Sequence, residues 1–364
     1  MVPPATPPPA TPPGPAAPPF FHADADRSAR VAVIAEIGVN HDGDPRQAAR
    51  LIDAAADAGA HAVKFQRFRP AALLADDAPL AAYQRRAAAD ARSLLAPLTL
   101  PDAAWPALRQ HARRRNVAFV VTPFGVDDAR ALAGLDVDAV KIASPDAVNP
   151  PLLRAAAVLA RPLWISTGAC EPHELDEAAA LAAGGGPGHR PAGALLQCVS
   201  AYPTADEHTA LGGVAALRAR FGDLRVGYSD HTAAEDTGAL AVAAGACLLE
   251  KHLTHDPAAP GPDHAASLAP DAFARYVTAA VAAATRVGPV RKRVQTPEVD
   301  VRRVARQSLC PVRDLPAGHR LSAADLTTRR PGTGVPAAGF DAAVGRRLAR
   351  PVRGGHPLRP QDLA

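Results

Sequence analysis

Short runs of apolar residues recur along the chain, separated by Ala-rich stretches. The runs are 31–36 (VAVIAE), 61–66 (HAVKFQ), 117–121 (VAFVV), 138–142 (DAVKI), 162–166 (PLWIS), 194–198 (ALLQC), 224–228 (LRVGY) and 246–249 (ACLL). Near-continuous apolar character marks strands buried on both faces. Between the last two runs, residues 235–244 carry no proline and good helix formers, so that unit reads as strand, helix, parallel strand. Eight such alternations over about 250 residues predict an α/β fold of the (β/α)8 barrel type, with its active site at the C-terminal ends of the strands. A doubly wound sheet would alternate in the same way, but no Gly-rich dinucleotide fingerprint follows the first run.

Polar residues gather at the ends of these runs. The last two end in Ser229-Asp230-His231 and Glu250-Lys251-His252. Adjacent parallel strands lie about 4.8 Å apart, so both imidazoles can reach one divalent ion. Two unrelated polar tips are the plain alternative; the pairing of His231 with His252, beside Lys251, Asp230 and Asp263, favours the metal pair. The first run ends in Glu36, ahead of Asn40-His41-Asp42-Gly43. In the second, Lys64 and Gln66 alternate with Phe65 and share one face. The third ends at Thr122-Pro123-Phe124, the fourth leads to Lys141, Ser144 and Asp146, and the fifth ends in Ser166-Thr167-Gly168. Ser200 and Tyr202 follow the sixth. A lysine within an apolar strand is costly to bury unless an anion meets it. Lys64, Lys141 and Lys251 are therefore expected to face an anionic ligand at the barrel mouth, rather than each serving as a structural ion-pair partner. The hydroxyls of Thr122, Ser144, Ser166 and Ser229 would complete the cradle.

The remaining composition narrows the class. A chain of 364 residues has room for one large domain and a small one. Its net charge is only +4 and the arginines are scattered, which gives no basis for a nucleic-acid partner. Cys170, Cys198, Cys247 and Cys310 form no CxxC and fit reduced thiols. No apolar run approaches the ~18 residues of a membrane span, and no signal peptide opens the chain, so a cytoplasmic location is expected. Residues 1–28 are rich in Pro and Ala and predict a disordered tail. The barrel is expected over 29–287 and a basic, helix-poor linker over 288–305. A compact β-rich module follows over 306–364, with apolar runs at 308–312, 319–321 and 348–352. Its turn Arg329-Arg330-Pro331-Gly332-Thr333-Gly334 either presents an arginine outward for a purpose or is ordinary surface.

The strings AEIGVNHDGD, DAGAHAVKFQ, TPFG, KIAS, ISTGA, GYSDHT, EKHLTHD and GPDHAASL, followed by RRPGTG, occur in this order. Together they closely resemble the sialic acid (N-acetylneuraminate) synthases with their C-terminal SAF, or antifreeze-like, domain. The resemblance covers about residues 30 to 360. It implies a homodimer in which each SAF domain caps the partner's barrel. It also implies condensation of phosphoenolpyruvate with an N-acyl hexosamine, such as N-acetylmannosamine, to a nine-carbon 2-keto acid and phosphate. By resemblance His231 and His252 hold manganese or another divalent ion such as magnesium or cobalt. Lys64, Lys141, Thr122, Ser144, Ser166 and Ser229 would contact phosphoenolpyruvate. Glu36, Gln66, Tyr202 and Asp263 would lie at the sugar, and Arg330 would reach in from the other subunit. On chemical grounds Glu36 is the first candidate to assist addition of water at C2 of the enol ether.

Three departures bear on the sugar. Ser200 stands where the neuraminate-forming members have Asn, and SAYP is similar to the legionaminate and pseudaminate branches. Asp146 stands where Glu is common, and 73–98 matches poorly. The rival readings are a phosphoenolpyruvate-dependent synthase for another aldose, a Schiff-base aldolase using Lys141 or Lys251, and a non-catalytic sugar-binding homologue.

Overall fold

In the computed structural model the described residues are 31–75, 78–79, 90–184, 193–288 and 292–364. The expected tail over 1–28 and part of the poorly matching 73–98 segment lie outside them. Eight parallel strands close into a barrel in sequence order: β1 (Ala32–Gly38), β2 (Ala62–Arg67), β3 (Ala118–Pro123), β4 (Ala139–Ile142), β5 (Leu163–Ser166), β6 (Ala194–Cys198), β7 (Arg225–Asp230) and β8 (Leu248–His252). β1 pairs with both β2 and β8, which completes the ring. The (β/α)8 expectation is met.

Strand alternation divides the apolar residues into two separate clusters. Ala32, Ile34, Ala62, Ala118, Val120, Ala139, Trp164, Ala194, Leu196 and Leu248 form the inner one. The intervening residues, among them Val33, Val63, Phe65, Phe119, Val140, Leu195 and Leu249, join the helices in the outer one. Small Ala side chains from several strands leave room for Trp164 to fill the bottom of the barrel. Gly227 is dictated by this crowding, since a Cβ there would lie 2.3 Å from the Leu248 carbonyl oxygen. The helices pack by periodicity. In Pro45–Asp57, Ala48, Leu51, Ile52 and Ala55 are buried at i, i+3, i+4 and i+7, and Asp44 caps the start by accepting from Arg46 N.

Two boundaries differ from expectation. The polar tips at 229–230 and 250–252 belong to β7 and β8 rather than following them. The segment expected to be helix-poor contains the helix Glu298–Ala305, which buries none of its residues.

The chain divides into two compact units at Pro289 and Val290. In the second, β9 (Ser308–Pro311) pairs antiparallel with β10 (Leu326–Arg329), around a core of Leu309, Leu315, Leu321, Leu326, Ala343, Leu348 and Leu358. Among the described residues no helix is long and apolar enough to cross a membrane.

Candidate active site

Alternation puts a second series of residues above the inner apolar cluster: Glu36, Lys64, Gln66, Thr122, Lys141, Ser166, Cys198, Ser229 and Glu250, with His252 at the tip of β8 and His231 just past β7. They crown the C-terminal end of the barrel, where a cavity of about 610 Å³ opens. Of the residues singled out from sequence, Glu36, Lys64, Gln66, Lys141, Ser144, Asp146, Ser166, Ser200, Tyr202, Ser229, His231, His252 and Asp263 line it; Thr122, Asp230, Lys251 and Arg330 do not. Thr122 lies one contact away, its Oγ1 accepting from Lys64 Nζ at 2.9 Å. Arg330 belongs to the C-terminal unit, exposed after β10.

The floor is a buried charge cluster. Lys64 Nζ stands 3.0 Å from Glu36 Oε1 and 3.8 Å from Glu250 Oε1, and Lys141 Nζ stands 3.6 Å from Glu250 Oε2. Lys141 Nζ also donates to Ser166 Oγ at 2.6 Å and to the Ile142 carbonyl at 2.9 Å. Ser229 Oγ donates to Glu250 Oε1 at 3.1 Å, and Gln66 Nε2 to Glu36 Oε1 at 2.8 Å. Gly38 makes this last arrangement possible: its φ is +54°, and a Cβ would lie 2.8 Å from Glu36 Oε1. The two carboxylates are not equivalent. Burial drives Glu36 up to about 7, with Lys64 only partly opposing it. For Glu250 burial also acts upward, but Lys141 and Lys64 outweigh it and hold the group below its usual range. One carboxyl is therefore poised to exchange a proton near neutrality while the other stays ionised. Glu36 Oε2 and Glu250 Oε2 are buried without a hydrogen-bond partner, a costly state unless a ligand meets them.

The imidazoles of His231 and His252 lie with ring centroids 5.4 Å apart. His231 Nδ1 donates to the Val199 carbonyl at 2.8 Å, so Nε2 is the nitrogen that bears the lone pair once the ring is neutral. Tyr202 packs against the His231 ring, tilted by 36° with centroids 4.1 Å apart. His252 Nδ1 is buried with no hydrogen-bond partner, 3.7 Å from Asp263 Oδ2. Burial, reinforced by His231, Lys64 and Lys251, holds the His252 imidazole well below its normal value and therefore neutral. Burial lowers His231 too, but Cys198 and the Val199 carbonyl outweigh it and push it up to about 8, so a cation binding there displaces a proton. This donor set fits a divalent ion. Among the described residues no three His, Cys, Asp or Glu side chains converge to hold a metal alone. A cation held there would have the two imidazoles as its side-chain donors.

The rim shows where the remaining residues fall. Ser144 Oγ accepts from Gly168 N at 3.0 Å. Asp146 accepts from Asn149 Nδ2 at 3.0 Å, and burial raises its carboxyl. Ser200 is exposed on the loop after β6. The opposite wall is apolar, built from Val39, Phe68, Leu73, Leu74, Leu95 and Phe124, with Phe68 and Phe124 meeting edge to face at 6.1 Å.

Lys251 is the correction. Expected at the mouth, it faces the outer layer, where its Nζ meets Asp230 Oδ2 at 3.2 Å and lies 5.4 Å from the centre of the Tyr276 ring. The reason is parity: in β8, Glu250 and His252 share the inward face, so Lys251 must point the other way. The same rule turns Asp230 outward between Ser229 and His231. Glu250, which the sequence reading passed over, occupies the inward position instead.

Comparison with known proteins follows the same outline. The profile described as NeuB family matches residues 51–292, and that of the SAF domain matches residues 306–364. The N,N'-diacetyllegionaminic acid synthase of Campylobacter jejuni is 35% identical over 320 residues, 87% of this chain and 95% of that protein. Its counterpart from Legionella pneumophila is 36% identical over 330 residues, 90% of this chain and 92% of that protein. Among solved structures, N-acetylneuraminic acid synthetase from Leptospira borgpetersenii superposes with a TM-score of 0.65 at 31% identity, covering 75% of this chain and 90% of that one.

Proposed function

Since the chain belongs to the NeuB family and carries a SAF domain, we propose that it condenses phosphoenolpyruvate with an N-acyl hexosamine in its open aldehyde form. With water, the products are a nine-carbon 2-keto acid and phosphate. The observation that carries this reading is the single cavity in which Lys64, Lys141 and the hydroxyls of Ser144, Ser166 and Ser229 lie beside the imidazoles of His231 and His252.

In this reading the two ammonium groups and the hydroxyls hold the phosphate and carboxylate of the enol ether. Lys64 and Lys141 remain in place to bind the phosphate as it departs. A divalent ion on His231 and His252, with manganese the first candidate, would supply Lewis-acid polarisation of the aldehyde carbonyl. Attack by the enol carbon develops positive charge at C2, and Glu36, with its carboxyl near 7, takes the proton from the water that adds there. Gln66 holds Glu36 in position, while Tyr202 and Asp263 face the sugar. Arg330 reaches the site from a second copy of the chain in a homodimer.

The acceptor is an N-acyl hexosamine without a phosphate. Lys64 and Lys141 are the only Lys or Arg among the described residues lining the cavity, and in this reading both are taken up by phosphoenolpyruvate. The apolar wall suits acyl methyl groups and favours an acceptor bearing two acylamino substituents, consistent with the legionaminic acid synthases among the relatives. The test is phosphate release from phosphoenolpyruvate across N-acetylmannosamine, its 6-phosphate and diacetamido-dideoxyhexoses. Release is expected with the unphosphorylated sugars, and most rapidly with a diacetamido acceptor. No release with any of them would overturn the assignment.

A further inference from the structure

The outward pair of Asp230 and Lys251 is fully buried, each side chain 0% exposed. Strand register shows why its location matters. β7 and β8 pair rung by rung: Ser229 lies opposite Glu250 and Asp230 opposite Lys251, and His231 and His252 are the residues that immediately follow this last pair. The Ser229–Glu250 rung faces the cavity and the Asp230–Lys251 rung faces away from it. The ion pair is thus the last cross-strand tie before the two imidazoles.

The ammonium of Lys251 grips both sides of His231. On one side it meets Asp230 Oδ2 at 3.2 Å; on the other it donates to the Thr232 carbonyl at 2.6 Å and to Thr232 Oγ1 at 3.1 Å. Asp230 Oδ1 in turn accepts from Thr232 N at 2.9 Å and from Thr232 Oγ1 at 2.8 Å. One side chain, borne by the residue that precedes His252, therefore fixes the residues before and after His231. A buried ion pair is a poor device for stability alone, because an apolar pair of similar volume serves as well or better. Buried outward positions on other strands are indeed apolar, as at Ile37, Phe65, Val121, Ile142 and Ile165.

We propose that Asp230, Thr232 and Lys251 form a positioning clamp, outside the cavity, that sets the separation and orientation of His231 and His252 for a shared divalent cation. None of the three touches substrate. The inference rests on the metal reading given above.

The test uses the full-length protein and manganese(II) alone, with free ion followed by electron paramagnetic resonance and folding followed by thermal melting. The Asp230→Asn, Lys251→Met double variant removes both charges together, so neither is left buried and unpaired. Its melting midpoint is expected within about 5 °C of wild type. Its manganese dissociation constant is expected to rise about ten-fold or more, the scale on which outer groups tune a metal site. Thr232→Val, which keeps shape and charge but removes the hydroxyl, is expected to weaken manganese binding by a few-fold with a midpoint lowered by no more than about 10 °C, and it carries the test if the double variant does not fold. Folded variants that bind manganese as tightly as wild type would overturn the clamp and leave the metal reading standing. A wild-type protein that binds no manganese would overturn the metal reading, and the clamp with it.

Discussion

Two carboxylate clusters in this chain are built to opposite ends. In the C-terminal unit Asp325 is satisfied on every side: Oδ1 accepts from Arg313, and Oδ2 accepts from His319 Nε2 at 2.9 Å, Ser322 N at 3.0 Å and Ser322 Oγ at 2.7 Å. The hydrogen bonds from His319 and Ser322 hold its carboxyl far below the usual range. In the barrel, Glu36 and Glu250 each keep an oxygen with no hydrogen-bond partner, and burial lifts Glu36 to about 7. A finished hydrogen-bond set makes structure, and an unfinished one leaves room for a ligand. What sets the barrel pair apart is that its unpartnered oxygens border a cavity, whereas Asp325 meets only its own unit.

The largest change expected on the unfinished side comes from the imidazoles. His231→Ala or His252→Ala should lower turnover by more than the roughly 10–100-fold that outer-shell changes cost, while circular dichroism shows the fold intact. Glu36→Gln should lower kcat by about 10²–10⁴-fold. It should also remove a limb of the pH profile, since wild-type kcat/KM is expected to rise through about pH 7 as Glu36 loses its proton. Its effect on stability should run the other way. A carboxyl raised from 4.5 to about 7 on folding binds more protons in the folded state, so it costs stability as pH rises through that interval. By pH 8 the penalty is as much as roughly 3 kcal/mol, and chemical denaturation of Glu36→Gln should show it relieved.

Arg330→Ala should reduce kcat/KM by about ten-fold, the scale of one charge-assisted hydrogen bond of ~1.5 kcal/mol, and leave the melting of the barrel unchanged. Least is expected for turnover from Asp325→Asn, whose effect should fall on the stability of its own unit, by roughly 1–2 kcal/mol. Because the Asp325 carboxyl is depressed on folding, its contribution is present above pH ~4 and lost below it. The variant should therefore differ from wild type at pH 7 and converge with it in acid. Equal stability of the two proteins at pH 7 would remove the contrast drawn above.

Much of this was legible in the sequence because a buried parallel strand repeats every second residue. Lys64 and Gln66 were correctly assigned to one face by that rule. Lys251 was misjudged because its cost of burial was weighed and its parity was not: in Glu250-Lys251-His252 an inward histidine requires an inward glutamate and an outward lysine. The error hid Glu250 and sent attention to a residue whose partner, Asp230, lies on the neighbouring strand. No local pattern in the sequence announces such an outer-layer ion pair, since the pairing depends on β7 and β8 being adjacent and in register. Asp325 did have a signal, the Ser-x-x-Asp spacing of a capping box at 322–325, although nothing in it points to His319. The apolar wall was obscured for another reason. Phe68, Leu73 and Leu95 come from the long connection after β2 and Phe124 from the one after β3, and the pairing of those two strands brings them together.

Gly38 sets a limit for anyone redesigning the acceptor range. Any side chain at that position would collide with the Glu36 oxygen that Gln66 holds, so saturation libraries placed there will return mostly dead clones. Diversity is better directed at Phe68, Leu73 and Phe124, where larger or smaller groups reshape the chamber without disturbing the Glu36 carboxyl.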